Sequence, residues 1–161
     1  LIEAFALYHA RDPGCTLVLA GSGKHQRKYE ARVAQLGIGR AVVFAGFVQR
    51  DRLPAYYAMA DLLAVPSRTD VWGLVINEAL ACGLPVVMSP VGMNADVLAQ
   101  AECGLGPTSE REWVTMLDAL VADPARCAAL GQSGRALVVE RYSLEAVVPI
   151  VASALREACG R

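Results

Sequence analysis

Short apolar runs alternate along the chain with longer stretches in which apolar residues recur every three or four positions. The first pattern is that of buried strands, the second that of amphipathic helices. Leu1, Ile2, Phe5 and Tyr8 form a helical stripe with no capping residue before it, so the sequence opens inside a helix and upstream residues are expected. Asp12-Pro13-Gly14 turns the chain into a strand at 16–20. Gly21-Ser22-Gly23-Lys24 leads into a helix with Tyr29, Val33 and Leu36 on one face, stopped at Gly37. A second strand, 41–45, ends in Gly46-Phe47-Val48. Asp51 is the expected cap of a helix carrying Leu53, Tyr56, Tyr57 and Ala60, whose spacing places both tyrosines in the core.

The stretch 61–90 is the centre of the pattern. Residues 61–66 are an apolar run too short for a helix, 67–72 a polar loop, and Gly73 opens a helix carrying Leu74, Val75, Ala79 and Leu80. Cys82-Gly83 closes that helix, and 85–89 is the next strand. Two buried strands joined by a helix make a parallel βαβ unit. A loop at 90–94, a short helix near 96–99 and a short strand at 103–106 follow. Ser109-Glu110-Arg111-Glu112 reads as a capping box before a helix with Trp113, Met116, Leu117 and Leu120. Asp123-Pro124 starts another helix, and Ser143 caps the last one, which carries Val147, Val148, Val151 and Leu155 and should kink at Pro149. These three helices are expected to serve packing only.

Strands alternating with helices predict one α/β domain over 1–161, doubly wound around a mainly parallel sheet. Ligands of such sheets bind beyond the carboxyl ends of the strands. Three loops, at 46–48, 67–73 and 89–94, leave strands at that edge.

Composition narrows the classes. With 55% hydrophobic and 19% charged residues the chain is globular. A net charge of −1 and the lack of any basic block argue against a nucleic-acid partner. No apolar run approaches a membrane span, which leaves peripheral membrane contact open. The five cysteines form no Cys-x-x-Cys pair, and their Ala-rich or apolar settings predict reduced, partly buried thiols and a cytoplasmic location. His9 and His25 lie far apart, so no metal site is expected.

Candidate chemistry sits at the start of the central helix. With Gly73 as N-cap, the amides of Leu74, Val75 and Ile76 have no helical partner and, with the helix dipole, suit a phosphate. Glu78 shares the face of Leu74, four residues earlier, and leans toward the helix start. A carboxylate repels phosphate but accepts hydroxyls, such as a ribose diol. Asp70 lies on the loop above the same helix end. A plainer reading has Glu78 complementing the dipole and Asp70 capping a loop; the local pattern is compatible with both. The other glycine-rich junction fails two tests. A phosphate-binding P-loop needs Gly where Val18 stands and Ser or Thr where His25 stands, and a dinucleotide fingerprint needs Gly at Gln26. A tight strand-to-helix turn remains.

Asp70 is separated by seven residues from Glu78, with Trp72-Gly73-Leu74-Val75 between them and Ala79-Leu80-Ala81-Cys82-Gly83-Leu84-Pro85-Val86-Val87 after them. This resembles the E-x7-E motif of the family-4 (group 1) retaining glycosyltransferases, in the C-terminal donor-binding domain of their two-Rossmann-domain (GT-B) fold. The resemblance runs from Leu1 to about Tyr142. It implies a nucleotide-diphosphate sugar as donor, no metal cofactor, and sugar transfer to an acceptor. It implies that Gly73, Leu74 and Val75 hold the diphosphate, that Glu78 binds the ribose and that Asp70 contacts the transferred sugar. It also implies a donor role for Trp72, a backbone contact from Val48 to the base, and a donor-side loop at Gly92. Two features depart from the family pattern: Asp70 stands where Glu is usual, and Met93 where a second Gly is common. The acceptor domain and the first, central strand of the sheet would lie upstream of Leu1. A gap is therefore expected between the strands at 16–20 and 61–66. The 161-residue piece alone is expected to fold poorly or associate, and to transfer no sugar. The readings kept beside this one are a non-catalytic nucleotide-sugar binding module and a nucleotide-sugar epimerase of the same fold.

Overall fold

The structure is a computed structural model that describes residues 1–92 and 104–160. The predicted short helix near 96–99, Met93, Asn94 and Cys103 lie outside the described residues. Five strands are present among the described residues: β1 (Leu17–Ala20), β2 (Val42–Gly46), β3 (Leu63–Val65), β4 (Val86–Met88) and β5 (Gly104–Leu105). The helices are α1 (Ile2–His9), α2 (Gln26–Gln35), α3 (Leu53–Met59), α4 (Leu74–Ala81), α5 (Glu110–Val121), α6 (Pro124–Arg141) and α7 (Leu144–Ala158).

All strand pairs are parallel, but they form two sheets: β1 with β2, and β3–β4–β5. The expected discontinuity is there, since β1 and β3 do not pair. Helix α1 spans it. Phe5 packs with Val33, Ile38, Ala41 and Val42 of the first sheet's layer, and Ala4 with Val87, Trp113 and Leu120 of the second.

Strand β4 shows why the second sheet is doubly wound. Val86, Val87 and Met88 are all fully buried. Val86 and Met88 join the α4 and α6 side with Ile76, Leu80 and Leu137, whereas Val87 joins the α1 and α5 side. Alternate side chains of a strand point to opposite faces, so an unbroken apolar run is what two covered faces require.

Helix ends follow local chemistry. After α4 the Gly83 amide bonds the Leu80 carbonyl (2.9 Å) and the Leu84 amide the Ala79 carbonyl (3.0 Å), with Gly83 at φ 75°. This is a Schellman stop. Ser109, Asp123 and Ser143 cap α5, α6 and α7 with their side chains. The capping box is half made: Ser109 Oγ accepts from Glu112 N, but Glu112 Oε2 accepts from Thr108 N and Thr108 Oγ1.

Three expectations are corrected. Asp51 makes no capping bond among the described residues: Arg52 is the N-cap of α3, and a turn in which Arg52 N bonds the Gln49 carbonyl already winds the chain into the helix. Cys82 and Cys159 are exposed, because they stand at helix C-termini facing outward. α7 buries no residue, and Val147, Val151 and Leu155 lie open. Pro149 lies inside α7, which is helical on both sides of it.

Candidate functional site

The start of α4 is built by β3 running into an irregular loop that Gly73 ends. Gly73 is the N-cap at φ −77° and ψ 84°, and the Leu74 amide bonds the Trp72 carbonyl at 3.0 Å. This is an inverse γ-turn centred on Gly73. The Ile76 amide bonds the Gly73 carbonyl at 2.8 Å. Two of the three amides read as free from the sequence are therefore occupied. Val75 alone of the three has no backbone acceptor among the described residues, because it falls between the γ-turn and the first helical bond.

Close packing selects glycine here. A methyl on Gly73 would lie 2.8 Å from Ile76 Cδ1 and 3.2 Å from Asp70 Oδ2. The half-buried Asp70 carboxylate thus folds over the helix start. Gly92, at φ 55°, is seated against the same loop: a methyl there would sit 1.9 Å from the Asp70 carbonyl oxygen. Asp70 meets Gly92 through its carbonyl and Gly73 through its carboxylate, which brings the three residues into one place. Ile76 and Leu80, both fully buried, anchor α4 beneath them. Truncating such a side chain to Ala typically costs about 2–5 kcal/mol, so these two residues hold α4 in place.

Glu78, one turn into α4, is half-buried and accepts a 2.8 Å hydrogen bond from the Tyr57 hydroxyl at Oε2. Burial, then the hydrogen bond and charge of Glu78, push the Tyr57 phenol well above its ordinary range, so it stays protonated and donates. A carboxylate has about four acceptor positions, so one donor leaves Glu78 free to accept more. Its helical spacing alone puts Tyr57 in the core. It is core, at 8% exposure. A buried tyrosine still brings a hydroxyl that needs a partner, and this was the signal for Glu78.

The remaining residues sit apart. The Trp72 ring meets Tyr142 edge to face, at 5.2 Å between centroids. Tyr142 is the C-cap of α6, so this contact ties the loop to the end of that helix. Leu74 and Val75 are exposed at the helix start. Val48 follows β2 in the other sheet, and no hydrogen bond or ring contact among the described residues links it to α4. At the end of β1, Gly21 (φ 127°) donates its amide to the Gly46 carbonyl at 2.7 Å, extending the β1–β2 pairing. The Gly21 amide of the turn at 21–24 is thereby committed to the neighbouring strand.

Comparison with known proteins places this architecture. The family model described as glycosyl transferases group 1 matches residues 1–137. The chain is 34% identical over 151 residues to the GDP-mannose-dependent alpha-(1-6)-phosphatidylinositol monomannoside mannosyltransferase of Mycolicibacterium smegmatis, covering 88% of this chain and 40% of that protein. It is 40% identical over 139 residues to the D-inositol 3-phosphate glycosyltransferase of Rhodococcus opacus, covering 81% of this chain and 31% of that one. The chain thus spans less than half the length of these relatives. Among solved structures it superposes on sucrose-phosphate synthase from Thermosynechococcus elongatus with a TM-score of 0.86 and 30% identity, covering 99% of this chain and 42% of that one. It superposes on Anabaena HepE in complex with UDP with a TM-score of 0.87 and 25% identity, covering 98% and 44%.

Proposed function

The chain belongs to the group 1 glycosyltransferases, with the Rossmann-like α/β fold of the GT-B enzymes, and from that premise we propose that it is the donor-binding domain of a retaining, family-4 transferase. Its substrate is a nucleoside diphosphate sugar; one relative is named GDP-mannose-dependent and one structural neighbour holds UDP. The observation that carries the reading is the junction where Asp70, Gly73 and Gly92 touch at the start of α4, with Glu78 one turn below.

The Val75 amide and the α4 dipole face the diphosphate and stabilise charge on the departing nucleotide. Glu78 accepts the ribose hydroxyls, and Asp70 reaches the transferred sugar. Trp72 holds the loop, Val48 meets the base, and Gly92 admits the donor close to the backbone. The mechanism uses no metal: charge is balanced by the helix end and by basic groups from outside these 161 residues. The acceptor binds a further domain, which also makes any peripheral membrane contact. A cytoplasmic location goes with four free cysteines among the described residues. No helix among those residues is long and apolar enough to cross a membrane.

Titration calorimetry of full-length protein tests the ribose assignment. Glu78→Ala should weaken nucleoside-diphosphate binding by about 1.5–3 kcal/mol, the worth of a hydrogen bond to a charged group. Unchanged affinity with the fold intact would remove Glu78 from the site. Product stereochemistry read by NMR tests retention: an inverted anomeric centre would contradict it.

A further inference from the structure

We propose that Tyr57 is a positioning residue for donor recognition: its hydroxyl holds the Glu78 carboxylate in the orientation that receives the ribose diol. This rests on the reading of Glu78 as the ribose anchor. Three observations carry it. The Tyr57 ring is locked in the core with Val65, Ile76, Leu80 and Met88. Its hydroxyl reaches 2.8 Å from Glu78 Oε2, across 21 residues of sequence, and so joins α3 to α4. Glu78 is half-buried, and no other hydrogen bond to its carboxylate is made among the described residues.

A free glutamate on a helix surface samples many rotamers, and fixing it at the moment of binding subtracts from affinity. A tyrosine has only two side-chain torsions, and this one is already packed. Its hydroxyl therefore presents a fixed donor to one carboxylate oxygen. That contact uses one lone pair and leaves Oε1, and the rest of Oε2, for two ligand hydroxyls. Because Tyr57 stays protonated, the donor persists across the physiological range. The opposite reading, in which Glu78 merely satisfies a buried phenol, predicts a stability effect with no dependence on the ligand's ribose.

The test uses full-length protein with uridine and guanosine diphosphates, taking whichever binds more tightly, beside its 2′,3′-dideoxy counterpart. Tyr57→Phe removes one oxygen and keeps the ring. It should weaken the ribonucleoside diphosphate roughly three- to tenfold and leave the dideoxy ligand unchanged. KM for the donor should rise by a similar factor with kcat nearly constant, because a ribose contact is the same in ground and transition states. On a Glu78→Ala background, Tyr57→Phe should add nothing. If Glu78→Ala discriminates ribose from dideoxyribose and Tyr57→Phe does not, the positioning role is overturned and the anchor stands. If neither variant discriminates, both fall. Equal weakening of the two ligands by Tyr57→Phe makes its role structural and overturns the proposal.

Discussion

Two junctions in this chain carry a strand into a helix through glycine, and they work by different physics. After β1, the turn at 21–24 leaves its glycines in open space: a methyl on Gly21 or Gly23 would meet nothing within 4 Å. Gly21 is needed only for its φ of 127°. Helix α2 beyond it buries a single residue, Val33. After β3 the space is filled: a methyl on Gly73 would crowd Ile76 Cδ1, and one on Gly92, in the loop after β4, would overlap the Asp70 carbonyl. Helix α4, which Gly73 opens, buries Ile76, Ala79 and Leu80. The first junction is loose, and its Gly21 amide is committed to β2. The second is crowded, anchored on both sides, and holds an aspartate over its start and a glutamate one turn in. Glycine-rich sequence alone does not distinguish the two junctions; packing around the glycine does.

The contrast can be broken or sharpened by substitution. The largest effect is expected at Asp70. Asp70→Ala should lower turnover on the order of 100-fold, as loss of a group acting on developing charge does. Nucleoside-diphosphate binding should stay within a factor of a few, and steady-state kinetics beside calorimetry would separate the two. Normal turnover would refute the role. A gain from Asp70→Glu would show that the shorter side chain is a compromise.

Gly92→Ala comes next. A methyl would fall on the Asp70 carbonyl, at a positive φ, so about 1–3 kcal/mol of unfolding free energy should be lost in denaturant titrations. Donor binding should fall with it, since the loop that carries Asp70 must move. The smallest effect belongs to the loose junction. Gly23→Ala should change stability by no more than about 0.5 kcal/mol and leave donor affinity alone. A large loss of affinity there would erase the distinction between the junctions.

Much of this architecture was legible in local chemistry. Apolar runs located the strands, and Gly37 and Gly83 marked helix ends. The break between β1 and β3 followed from the family's strand order. The start of α4 was legible at Gly73, but not the γ-turn that occupies the Leu74 amide, because that depends on a ψ angle no residue name fixes. Asp51 misled because Asp before a helical pattern is a common cap, and the preceding turn satisfies the amides instead. α7 misled in another way: Val147, Val151 and Leu155 have helical spacing, but a stripe does not say what covers it. Tyr57 was read correctly as core and incompletely as chemistry, since its partner lies 21 residues away. The contact of Gly92 with the Asp70 carbonyl is a tertiary fact with no local signal.

The most direct measurement is a crystal structure of the full-length protein with its nucleoside diphosphate bound. The account predicts a diphosphate oxygen within hydrogen-bonding distance of the Val75 amide, both ribose hydroxyls on Glu78, and the Tyr57 hydroxyl still on Oε2. A diphosphate seated instead on the amides of the Gly21 to Lys24 turn, with Glu78 facing only Tyr57, would contradict it.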